Sequence, residues 1–160
     1  MPLLRRSGHP ALDWIFSRLE GLREAAGEAE LDELMAIVRY RFARLLYIEG
    51  DVRRANELLT TLLTQSDPNW PVHGNVLNLR GVTWDRLDRK DSAIADYTAV
   101  IEAATVPDEA RAMALNNRAD IYEDHGDLAS AIADRTAVLN LGETTYDRRF
   151  IALGRRARAS

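Results

Sequence analysis

The chain has 160 residues, a formal net charge of −4 and no cysteine. This length suits one domain, and an apolar content of 46 % excludes a disordered polymer. The missing thiols exclude disulfides, zinc–thiolate sites and cysteine nucleophiles.

In chain order, residues 1–9 read as a flexible N-terminus without the apolar core of a signal peptide. Residues 10–28 read as an N-terminal capping helix with Leu12, Ile15, Phe16, Leu19 and Leu22 on one face. From there a 38-residue period governs the chain. It aligns Ala55 with Ala93 and Ala131, and Ala43 with Gly81 and Ala119. It also aligns Leu46, Trp84 and Tyr122; Leu62, Val100 and Val138; and Leu63, Ile101 and Leu139. The units run over 30–68, 69–107 and 108–144. Residues 145–160 are either a C-terminal capping helix or the start of a fourth unit, because Leu153 and Ala157 continue the columns of Leu115 and Ala119. Carried back by one period, Ala55 falls on Ser17, so the first helix either stands as the second half of an earlier unit or is a plain cap.

Each unit reads as two helices around a polar turn. Leu77, Gly81, Trp84 and Leu87 make one apolar stripe; Ala93, Ile94, Tyr97, Val100 and Ile101 make the next. Gly50-Asp51 and Gly126-Asp127 suit a helix end followed by an N-cap, whereas the second unit has Asp88-Arg89 and no glycine there. Val106-Pro107-Asp108 and Asp67-Pro68-Asn69 close units, since proline cannot continue a helical ladder. Arg80 and Asp96 are separated by 16 residues, as are Arg118 and Asp134, while the first unit places Phe42 and Leu58 there. These positions are therefore expected to face each other across the hairpin. No stretch alternates as a strand does.

The small residues at helix crossings, the aromatic three positions later, the Gly-Asp turn and the alanine opening the second helix resemble the tetratricopeptide repeat family. The third unit carries all of these as Leu115, Ala119, Tyr122, Gly126-Asp127 and Ala131. The resemblance covers roughly residues 36–139, with a period of 38 against the family's usual ~34. It implies an all-α, right-handed helical-hairpin solenoid of about three repeats with capping helices, in which the first helix of each repeat lines a concave face. Carried over by repeat position, that face takes Ile37, Tyr40, Arg41 and Arg44; then Asn75, Asn78, Leu79, Val82 and Arg86; then Met113, Asn116, Asn117, Asp120 and Asp124. Asparagine has no helix-propensity reason to recur at 78 and 116, and its amide can serve both sides of a peptide bond. The residues of the family's chaperone-tail clamp are absent: Tyr40, Arg44, Met113 and Asn117 stand in those places.

Chemistry beyond binding finds little support. There is no HExxH, GxSxG, P-loop or GxGxxG. Asp120, Glu123 and Asp124 cluster at helical spacing, as a solvated acidic face also would. Three scattered histidines, His9, His73 and His125, make no metal site; His73 reads as a loop residue and His125 as a helix cap. No apolar run approaches the ~20 residues of a membrane span. The twenty arginines stand against one lysine, Lys90, as a GC-rich, bacterial-type genome would give. They gather at 39, 41, 44, 53 and 54 and again in the tail, yet the net charge is acidic, so nucleic acid is a minor reading. The expectation is a non-catalytic cytoplasmic module without cofactor, metal or membrane contact, holding an unknown protein or peptide in its groove. The alternatives are a self-associating scaffold, or a regulatory segment of a larger protein.

Overall fold

A computed structural model describes residues 28–65, 70 and 72–141, with Trp14, Ser17 and Arg18 as isolated helical positions. The apolar stripe expected over 12–22, the Asp67-Pro68-Asn69 closure and the expected tail element lie outside the described residues. Six helices follow one another: α1 (Glu28–Ile48), α2 (Val52–Gln65), α3 (His73–Arg86), α4 (Lys90–Glu102), α5 (Asp108–Asp124) and α6 (Leu128–Asn140). Among the described residues there is no strand. Successive helices pack on each other, and α3 also touches α5, so three hairpins stack into an all-α solenoid. His73 opens α3 rather than sitting in a loop, and its N–H is taken by the Trp70 carbonyl.

The three hairpin turns need one residue in the left-handed region. Gly50 (φ +89°) and Gly126 (φ +78°) supply it, and Asp88 (φ +58°) takes the same place in the second unit. The next residue starts the second helix. Asp51 and Asp127 each accept a backbone N–H three residues on, from Arg54 and Ser130. Arg89 in the second unit makes no such cap.

The repeat columns form the core. Ala55, Ala93 and Ala131 are fully buried, as are Ala43 and Ala119. Ser17, one period before Ala55, is exposed. The column of Gly81 shows how one unit trades volume. A Cβ at Gly81 would lie 2.5 Å from Tyr97 Cε1, so the missing side chain makes room for that ring. In the first unit Ala43 instead faces the smaller Leu59 column, and in the third Ala119 shares its unit with Arg135. Trp84 and Tyr122 are half-buried at the next column, where Leu46 is buried.

The pairs separated by 16 residues do face each other. Arg80 Nε and Nη2 donate to both carboxylate oxygens of Asp96 at 2.8 and 2.6 Å, and Arg118 does the same to Asp134 at 2.8 and 2.7 Å. Phe42 and Leu58 fill the place in a purely apolar cluster with Met35, Leu46 and Ala55. Polar struts join the units to one another. Asn56 Nδ2 donates to Thr83 Oγ1 at 2.8 Å, and Arg118 Nη1 donates to Thr98 Oγ1 at 2.7 Å.

Candidate partner-binding surface

The first helices α1, α3 and α5 repeat the same register, so each sets four residues at i, i+4, i+7 and i+11 on one face. On α1 these are Ile37, Arg41, Arg44 and Ile48, of which the last three are exposed. On α3 they are Asn75, Leu79 and Val82, all half-buried, and the exposed Arg86. On α5 they are Met113, half-buried Asn117, and the exposed Asp120 and Asp124. Met113 is 52 % exposed and Ile48 68 %, so apolar surface is left uncovered at opposite corners. The face passes from two arginines on α1, through apolar Leu79 and Val82, to two aspartates on α5.

One period of the sequence expectation fails here. Asn78 is not a groove residue: it is 4 % exposed, and its Nδ2 donates to the Ala110 carbonyl of α5 at 2.8 Å. It ties α3 to α5, because the next unit lies over it. Asn116 and Tyr40, in the same column, are half-buried instead.

Two further residues shape this surface and were not singled out in the sequence. Tyr47 lies under Arg86, whose guanidinium carbon sits 5.9 Å from the ring centroid, linking the first two units. Arg135, from α6, donates to Asp120 at 2.8 Å and to Glu123 at 3.0 Å, and its hydrogen bonds to Glu123 hold that carboxyl below its ordinary pKa. The acidic cluster is thus partly neutralised from within. The signal was available: Arg135 stands in the column of Leu59 and Tyr97, where a charge has no apolar role. Asp124 is left as the outermost carboxylate of the four-residue stripe.

A family model described as "Tetratricopeptide repeat" matches residues 40–109 and again 86–140. The chain belongs to the tetratricopeptide repeat family. The two matches overlap over residues 86–109, which hold α4 with Asp96 and Tyr97, the partners of Arg80 and Gly81 on α3. No curated protein matches the chain. Repeats of this tetratricopeptide kind generally mediate protein–protein interaction. Among the described residues no helix is long and apolar enough to cross a membrane, and no group of three or more histidine or carboxylate side chains is placed to hold a metal ion.

Proposed function

We propose that this tetratricopeptide chain is a non-catalytic interaction module that holds an extended peptide across the face shared by α1, α3 and α5. The observation that carries the reading is the ordered change of chemistry across that face: Arg41 and Arg44, then Leu79 and Val82, then Asp120 and Asp124. A segment with an acidic end, a central apolar side chain and a basic end complements it in one direction only. Asn75 and Asn117 offer amides that serve backbone N–H and C=O groups of an extended chain. Such a partner binds by rim charges that set orientation and by one apolar anchor.

The test uses two labelled peptides of equal composition, one ordered acidic–apolar–basic and one with its charges scrambled. Fluorescence anisotropy is expected to show at least ~tenfold tighter binding of the ordered peptide, with the preference lost in Arg41→Glu, Arg44→Glu. Equal binding of both peptides, or an unchanged preference in the variant, removes the groove reading. A steep fall of nucleic-acid binding with salt, spanning several phosphate contacts, would favour the arginine-patch alternative instead.

A further inference from the structure

We propose that copies of this chain associate head to tail, α1 of one copy seating on α6 of the next as α5 seats on α4 within the chain. Two junctions between hairpins show what such a seat requires. At the second, Ala110, Ala114 and Ile121 of α5 share one apolar cluster with Ile94 and Ile101 of α4. At the first, Val76 of α3 joins Leu59 and Leu62 of α2, and Thr83 accepts the Asn56 amide. Each junction thus joins the outward face of a second helix to one face of the next first helix, and these first-helix residues are buried.

Both halves of that junction recur at the ends of the stack. By the 38-residue period, Leu34, Val38 and Leu45 of α1 stand in the columns of Ala110, Ala114 and Ile121. Ile132 and Leu139 of α6 stand in those of Ile94 and Ile101. Leu34 and Leu45 are 45 % and 44 % exposed, and Ile132 and Leu139 are 66 % and 79 % exposed. Large apolar side chains left open at junction positions mark a contact surface. One end presents a first-helix face and the other a second-helix face. Each therefore matches the opposite end of another copy and not its own, so the contact is heterologous and repeats without closing.

The charges agree with this direction. Inside the chain a first helix meets the next at sequence offsets between 32 and 39, as Asn78–Ala110 and Tyr47–Arg86 show. After three periods of 38, the same offsets set residues 38–45 of the incoming copy against Asp120, and residues 42–49 against Asp124. Those stretches carry Arg41 and Arg44, and all four charged side chains are exposed. Two internal struts have no counterpart in this joint. Arg111 holds the Ile101 and Ala103 carbonyls across the second junction, and Arg118 donates to Thr98. Their columns on α1 hold Met35 and Phe42. The contact between copies is therefore apolar with charges at its edge, weaker than an internal junction and reversible.

Sedimentation velocity of the full chain between ~1 and ~500 µM reads the association. The expected result is an average mass that rises past twice the chain mass and falls back as salt is raised. Leu45→Glu blocks one end and Ile132→Glu the other. Each variant alone is expected to stay monomeric, and their equimolar mixture to stop at a dimer, because each supplies the face that the other lacks. Amide exchange in α3 reports that the stack stays folded in every variant. A parent chain that stays monomeric throughout overturns the proposal, and the end faces then belong to another part of the same chain or to a different partner. A dimer formed by either variant alone also overturns it, since that assigns the contact to two like faces. The outcome does not depend on whether a peptide binds the α1–α3–α5 face, because neither Leu45 nor Ile132 belongs to the stripe proposed for it.

Discussion

The most informative residue is Gly81, because its value lies in a side chain it lacks. Alanine occupies the column in the first and third units and is buried there without conflict. In the second unit the Tyr97 ring has taken that volume, with its Cε1, Cζ and Cδ1 atoms between 2.5 and 3.0 Å from where a Cβ would be. The ring atoms belong to a fully buried side chain, so they cannot yield cheaply. Gly81→Ala is expected to cost ~1–3 kcal/mol in urea unfolding despite the better helix propensity of alanine. Adding Tyr97→Leu copies the Ala43–Leu59 arrangement of the first unit and should recover most of that loss. If Gly81→Ala alone is neutral, the ring is not the reason for the glycine. Burial holds the Tyr97 hydroxyl well above its ordinary pKa.

At the scale of the element, the paired helices α3 and α4 are joined by an ion pair where α1 and α2 use apolar contact. A two-armed guanidinium–carboxylate bridge with Asp96 only 7 % exposed is costly to break and weakly rewarded as a whole. Asp96→Leu alone should therefore destabilise by ~3 kcal/mol, because it leaves Arg80 facing an apolar surface. The double change Arg80→Phe, Asp96→Leu, which copies Phe42 and Leu58, should fall within ~1 kcal/mol of the parent in denaturant midpoints. A double variant as unstable as the single one would show that the pair fixes something besides itself. These pairs were legible in the sequence, because a spacing of 16 recurs and its apolar counterpart confirms the geometry. The turns were legible too: adding one period to Gly50 points to Asp88 for the left-handed position even without a glycine. What the pattern could not show was the fate of Asn78. Its column partner Asn116 is half-buried, and only the helix lying over Asn78 turns an amide that suits a groove into an interior strut. Column identity records the residue; burial depends on the neighbouring unit, which no single repeat encodes. Arg135 is the converse case, a charge in an apolar column that reaches sideways to Asp120 and Glu123.

For the whole molecule, the consequence of stacking is that stability is a sum over units and junctions rather than the property of one core. Among the described residues, α3 and α5 each bury six, whereas α6 buries Ala131 and Asp134. The start of α6 is held by the Asp127 cap, whose hydrogen bond from Ser130 keeps its carboxyl below the usual 3.8. A depressed folded-state pKa means that the cap supports folding above the unfolded value and loses that support as pH falls through the folded one. Native-state amide exchange at neutral pH should therefore be slowest in α3 to α5 and faster in α6. Lowering the pH below ~4 should weaken α6 before it touches α3, with the exchange rates corrected for their intrinsic pH dependence. Asp127→Ala should speed α6 exchange at pH 7 and change nothing once the pH lies below the folded-state value of the cap. A single exchange rate shared by all six helices at both pH values would mean that the chain opens as one block, and the unit-by-unit description of its stability would fail.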